Sequence, residues 1–441
     1  MRRYGGFWIA GLVLSGLACN LSIHMPLTSD SAVSARTEPG PQVAPSNTRA
    51  HPSPTSNPVS SPEQSICADQ SAAVVLLVDP VLAAGVRANL DRFEADLCAD
   101  GYGVIERALD FQSPPQARAY LADLYARTGQ ALEGAIFIGA VPLAYQAVQA
   151  KSSNPENQPA AQEVISFQYY ADLDGEFSAA SGYQSAGRHV HSFDLHTGGT
   201  DWEIWIGVLP LYRGELSQTV DALNRYFEKN HRYRTGGYSI PVGFLQINEH
   251  FNAKTAEEAA SLLTGMRAGL YAWTPLSNAP GAKLYFNAPG VSFRDGYADL
   301  SAGAADITVT ETHGDHTTSG MINIGWVESR PVRTVLYWTD GCSVGNLAYP
   351  DNFLTSVVYS PTSEVLMAKG STNDSGGLGT NAEGFYGHNI AVRLAAGSSI
   401  GRAILGHVNV PLIYPWADSR EFHFSMLLLI GDPTLRLRDG A

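Results

Sequence analysis

Two stretches of this chain could perform nucleophilic chemistry together. Asp306 to Thr312 reads as a buried parallel strand that delivers His313-Gly314-Asp315-His316. Thr334 to Asp340 reads as a second such strand, delivering Gly341-Cys342-Ser343-Val344-Gly345. The His and the Cys stand about thirty residues apart, which leaves room for the one crossover that parallel neighbours require. In open α/β sheets, ligands bind at the carboxyl ends of adjacent strands. There an imidazole can lower the pKa of a neighbouring thiol and release the thiolate, the nucleophilic form. His313 would share the Cys342 proton and later protonate a leaving amine. The backbone N–H groups of Gly314 and Cys342 are the natural oxyanion donors. A glycine after the His lets a substrate approach the backbone closely. Singly, a His or a Cys is more often a packed residue. The paired context, strand then His-Gly and strand then Gly-Cys, reads as a cysteine hydrolase acting on peptide bonds.

The elements that must position this pair recur as strand and helix. Ala73 to Val78 and Gly134 to Gly139 are continuous apolar runs, suited to parallel strands covered on both faces. Helical segments are expected at Leu82 to Leu97 and Pro115 to Thr128, with a weaker strand from Gly103 to Leu109. A second α/β block opens with the strand Glu203 to Leu209 and the amphipathic helix Leu216 to Asn230. Strands at Pro241 to Ile247, Glu364 to Lys369 and Met426 to Gly431 complete the pattern. The expected fold class is α/β: two abutting, doubly wound, caspase-like subdomains with mainly parallel sheets flanked by helices. The boundaries read as 1–19, 20–65, 66–200 and 201–441, the last being the catalytic subdomain.

The first of these segments reads as an export signal. Arg2-Arg3 precede an apolar stretch from Phe7 to Ala18, followed by Cys19. The segment is similar to a bacterial lipoprotein signal, in which Cys19 would be the acylated anchor; ordinary cleavage after Ala18 also fits. Residues 20–65 are rich in Pro, Ser and Thr and form a tether unable to bury a core. The expected location is the cell envelope, on a lipid anchor, or outside the cell. Of the four cysteines, Cys67 precedes the first strand and Cys98 ends the helix that runs back along it. A strand residue advances ~3.3 Å and a helix residue ~1.5 Å, so the two cysteines can meet. Export makes that disulfide chemically allowed. Cys342 is then expected to remain unpaired and reactive.

The net charge of −14 is spread over 441 residues without long acidic runs. Nucleic-acid binding needs a basic footprint and is not expected. No interior segment is long and apolar enough to span a membrane.

The chain resembles the gingipain-like cysteine peptidases of the caspase-like clan over most of Cys67 to Leu437. That family has a strand ending in Gly-His-Gly and a strand ending in a small residue and Cys. Here these read Thr312-His313-Gly314 and Gly341-Cys342. Ala135 to Pro142, Tyr169 to Gly175 and Leu429 to Leu435 resemble further family segments, the last through Leu-Ile-Gly-Asp-Pro. The resemblance implies Cys342 as nucleophile and His313 as base. It also implies an acidic residue that orients the His, at the position of Glu203; a carboxylate on the far imidazole nitrogen fixes the tautomer. The loop Asn373 to Gly377 lacks the aromatic that stacks on basic P1 side chains in the family, so Arg or Lys specificity does not carry over.

Lesser signals complete the reading. Asp374 would favour a basic P1 side chain, or is simply a turn residue. His316 reads as a substrate-side or loop residue. A zinc site at His313 and His316 lacks a third ligand and any surrounding metalloenzyme signature. Asp172-Leu173-Asp174-Gly175 is a fragment of a calcium-loop motif, with a solvated turn as its default reading. No cofactor is required for the chemistry, and structural calcium stays open. The partners are a polypeptide substrate and a membrane reached through the lipid anchor. The rival functions are a sortase-like transpeptidase and a catalytically silent lipoprotein that binds a polypeptide.

Overall fold

The computed structural model describes residues 64–67, 70–148, 162–187, 189–267, 273, 275–373, 389–410 and 424–437. The export signal, nearly all of the tether, Cys19 and Asp374 lie outside them.

One eleven-stranded sheet forms the centre. In chain order its strands are β1 (Gln64–Ser65), β2 (Ala72–Val78), β3 (Tyr102–Ala108), β4 (Leu132–Gly139), β5 (Trp205–Pro210), β6 (Phe244–Asn252), β7 (Lys283–Asn287), β8 (Ile307–Glu311), β9 (Leu336–Thr339), β10 (Met367–Ser371) and β11 (Leu427–Gly431). Their spatial order is β1-β3-β2-β4-β5-β11-β10-β9-β8-β6-β7. All neighbours are parallel except the short edge pair β1–β3 and the pair β10–β11. The expected α/β architecture is therefore present, as a single hydrogen-bonded sheet whose strand direction reverses twice, at the β1 edge and between β11 and β10. Val74, Val75, Leu76 and Leu77 have no exposed surface. Side chains alternate between the faces of a strand, so four consecutive buried residues mean that both faces are covered.

The helices flank this sheet for local reasons. Helix α1 (Pro80–Ala99) starts at Asp79, whose carboxylate accepts the Val81 N–H at 2.9 Å, with Pro80 at the first helical position. Its buried stripe of Leu82, Val86, Leu90, Phe93 and Leu97 follows helical periodicity. This stripe meets α2 (Leu216–Arg234), where the Phe93 and Phe227 rings lie 5.2 Å apart. The Trp205 indole lies over Gly134 and Gly401, where an added Cβ would come within 2.1 and 2.7 Å of it. Only glycine admits a ring that close to the backbone.

The closing Gly431-Asp432-Pro433-Thr434 segment locks α2 to the sheet. Asp432 is fully buried and accepts hydrogen bonds from Asn230 Nδ2, Arg234 Nη2 and the Thr434 N–H. A buried carboxylate must be paired in this way. Among the described residues, no helix is long and apolar enough to cross a membrane.

Candidate functional site

The register of the sheet builds the site in rows. Gln246 pairs with Val309, Val309 with Trp338, and Trp338 with Lys369. Two residues further along, on the same face, stand Asn248, Glu311, Asp340 and Ser371. Two further still stand His250, His313, Cys342 and Asn373. The two sequence-derived residues, His313 and Cys342, thus leave neighbouring parallel strands at the same height. Their glycines bring the backbones together: a Cβ on Gly314 would come within 3.0 Å of Gly341 Cα and 2.9 Å of Thr318 O.

The turn after β9 is fixed at both ends. Asp340 Oδ1 accepts the Thr312 N–H at 2.9 Å, where the strands β8 and β9 part. Ser343 adopts φ of 57°, the left-handed region that a non-glycine residue rarely enters. Its N–H donates to Asn373 O at 3.0 Å, and the Gly345 N–H donates to Ser371 O at 2.9 Å. Residues held in such backbone conformations cluster at active sites, because the surrounding structure must enforce them. Helix α3 (Phe353–Tyr359) clamps both functional loops. The Phe353 N–H donates to His316 O at 2.7 Å and the Leu354 N–H to Val344 O at 2.9 Å.

The His313 ring is exposed, and the His250 ring packs against it edge to face, with centroids 4.7 Å apart and planes at 86°. His316 stacks on Tyr349 at 4.0 Å. Asp315 is engaged locally: burial would raise its carboxyl, but hydrogen bonds from Thr317 and Thr318 outweigh that and hold it below the usual range.

Below the His–Cys row lies a cavity of about 50 Å³ lined by Trp273, Glu311, Trp338, Asp340, Lys369 and Phe424, among others. Lys369 Nζ sits 4.6 Å from the Trp338 ring centre. Glu311 accepts hydrogen bonds from Gln246 Nε2 at 2.6 Å and from Asn248 Nδ2. Sequence reading missed His250, Glu311 and Asp340. Strand alternation signals two of them, since Glu311 and Asp340 stand two residues before His313 and Cys342. His250 needed the pairing of β6 with β8.

Two expectations are corrected here. The first concerns Cys342. Cys67 and Cys98 form a disulfide, with Cα atoms 6.1 Å apart. Cys342 was expected to be left as a reactive thiol, yet no described cysteine is free and Cys342 is itself disulfide-bonded. Its partner lies outside the described residues. A disulfide sulfur is not a nucleophile, so the thiolate must first be released by reduction.

The second concerns Glu203. Val208, Ile430, Ala368, Tyr337 and Thr308 form one row across β5, β11, β10, β9 and β8. Glu203 is five residues before Val208 and His313 is five after Thr308. Because β5 and β8 run oppositely, both reach the same edge of the sheet, but four strand spacings separate them, about 19 Å. Glu203 therefore does not orient His313. Its Oε2 accepts the Leu173 N–H at 2.5 Å, and its carboxyl is raised by burial and by Asp174 and Asp172 nearby.

Glu203 instead closes the Asp172-to-Gly175 turn. Oxygens of Asp172, Asp174 and Glu203 lie within 4.8 Å of one another, close enough to share a cation. However, Asp172 Oδ1 accepts the Gly175 N–H at 2.7 Å, and Oδ2 meets His196 Nε2 at 2.8 Å. Arg118 also donates to the carbonyls of Asp172 and Gly175. Both Asp172 oxygens therefore already have protein partners.

No family model matches the sequence, and no curated protein sequence matches it. Solved structures do resemble the fold. The crystal structure of the Arg-specific cysteine proteinase gingipain R (RgpB) is 12% identical, with a TM-score of 0.53, covering 84% of this chain and 79% of that one. The complex of Porphyromonas gingivalis RgpB pro- and mature domains is 14% identical, with a TM-score of 0.52, covering 83% and 80%. A structure described only as a protease is 9% identical, with a TM-score of 0.54, covering 83% and 79%. At these identities the likeness is one of fold.

Proposed function

We propose that this chain is a cysteine peptidase that hydrolyses polypeptides through an acyl-enzyme on Cys342. One observation supports this most: the parallel register of β8 and β9 pairs Thr310 with Thr339, and His313 and Cys342 each follow three residues later. The proteinase fold of the structural neighbours agrees with it.

In this reading, two equivalents of an external thiol cleave the Cys342 disulfide by exchange, becoming a disulfide themselves and freeing the Cys342 thiol, whose proton His313 accepts. The thiolate adds to the scissile carbonyl, and the N–H groups of Gly314 and Cys342 face the oxyanion. Collapse expels the amine, which takes its proton from His313. Water, deprotonated by His313, then releases the acid and restores the thiol. The cavity beneath the dyad takes the P1 side chain. His316 flanks the substrate from the following loop, and Asp374 favours a basic P1 side chain. The chain is exported.

The test is cleavage of fluorogenic peptides varied at P1 by the reduced full-length protein and by Cys342→Ala. Cleavage that vanishes in the variant supports the reading. Equal cleavage, or none from either protein after reduction, overturns it. A second reading, a polypeptide-binding lipoprotein without catalysis, is favoured by one fact: Cys342 is disulfide-bonded. It gains if Cys342 resists alkylation even after reduction.

A further inference from the structure

We infer that His250 is a positioning residue for His313, taking the place that a carboxylate occupies in other histidine-activated nucleophiles. The inference rests on the His–Cys reading above. The resemblance places an acidic partner at Glu203, but Glu203 is four strands away. The side chain actually set against the imidazole is His250, edge to face at 4.7 Å.

The other ionisable groups at this end of the sheet have their own partners. Glu249 Oε1, on the same strand as His250, accepts from Tyr297 Oη at 2.7 Å and from the Met321 N–H at 3.0 Å. Glu311 on β8 accepts from Gln246 and Asn248. Asp340, after β9, accepts from Thr312. Asp315 accepts from Thr317 and Thr318, and His316 stacks on Tyr349. Lys369 lies over the Trp338 ring below this row, and Cys342, once reduced, adds a thiol to it.

His250 is itself held in place. Asn248 Oδ1 accepts the backbone N–H groups of His250 and Phe251, each at 2.9 Å, while Asn248 Nδ2 donates to Glu311. A connected path thus runs from a buried carboxylate on β8 through Asn248 to the residue facing His313. Physically, an edge-to-face aromatic partner restricts the rotation of the His313 ring. A neutral His250 ring leaves the imidazolium that forms when His313 takes the thiol proton without a like charge beside it. A protonated His250 would do the opposite, placing like charge beside it. His250 therefore holds His313 in a reactive orientation at neutral pH and weakens that effect in acid.

The experiment measures iodoacetamide alkylation of Cys342 in the reduced full chain from pH 5 to 9, read at the Cys342 peptide by mass spectrometry. His250 is exposed, so its replacement should not unfold the protein. His250→Ala should slow alkylation about fivefold at pH 7, the scale of one edge-to-face contact. His250→Phe should return the rate to within about twofold of wild type, because its ring packs alike but carries no charge. It should also make the fall in rate toward acid pH shallower than in wild type. A His250→Ala profile superimposable on wild type would overturn the inference, as would a Phe variant whose rate falls toward acid as steeply as wild type. His313→Ala separates the two levels of argument. If it too leaves the profile unchanged, the His–Cys reading itself fails.

Discussion

Glu203 and His313 stand at the same edge of one sheet and at the same height, four strands and about 19 Å apart. A carboxylate that distant has no contact with the imidazole. Glu203→Gln is accordingly expected to leave kcat/KM for peptide cleavage within about twofold of wild type. Removing a group that touches the reacting atoms would instead cost orders of magnitude.

The same substitution should alter stability with pH. The Glu203 carboxyl is raised in the folded protein, by burial first and then by Asp174 and Asp172. A raised carboxyl contributes stability that is fully present below its unfolded pKa, ~4.3, and is lost as pH rises through the folded value. Wild type should therefore lose more stability than Glu203→Gln between pH 4 and pH 7, by under about 1 kcal/mol for a half-exposed group. Urea unfolding at both pH values measures this. Calcium and chelator should leave the melting temperature unchanged, since the Asp172 oxygens are already hydrogen-bonded.

Cys342 should be inert to alkylation in the oxidised protein and reactive after reduction. Peptide cleavage should show the same dependence on reductant. Cys342→Ser should remain below about 10⁻³ of wild-type activity in either condition.

Lys229 offers a stability test far from the dyad. It is buried, and its Nζ donates to Val358 O at 2.5 Å and Ser363 O at 3.3 Å, at the carboxyl end of α3. Burial drives its pKa from 10.5 down to about 7. A depressed amine contributes stability that is present above the unfolded pKa and is lost as pH falls toward the folded one. Relative to Lys229→Met, wild type should gain up to about 1.4 kcal/mol per pH unit between pH 7 and 10. Paired urea titrations across that window would show no such divergence if the amine stayed charged.

Arg234 and Asp432 form a buried ion pair, with side chains 5% and 0% exposed. Asp432→Ala leaves the guanidinium without that partner and should cost about 3–5 kcal/mol. The double variant with Arg234→Met should recover part of that loss, because the stranded charge is gone. Chemical unfolding of the single and double variants checks both.

Sequence reading located nearly every strand of the sheet, because doubly covered strands must be continuously apolar. Ala73 to Val78 and Gly134 to Gly139 needed no other information. The helix Leu216 to Asn230 was visible through its amphipathic period, and the structure extends it to Arg234. His313 and Cys342 were visible because each follows such a strand directly. The Cys67–Cys98 bond followed from the lengths of one strand and one helix.

The sequence by itself determined which segments are strands, which are helices, and which reactive side chains stand at strand ends. These are local properties, set by apolar periodicity and by neighbours a few residues away. Only the tertiary structure decided the lateral order of the strands. That order separates Glu203 from His313 and sets His250 beside it, through pairings between residues more than sixty positions apart. It also brings Glu311, Asp340 and Lys369 under the dyad from three strands. Such contacts depend on which strand lies next to which, a choice made by packing of the whole sheet and recorded in no single stretch of chain.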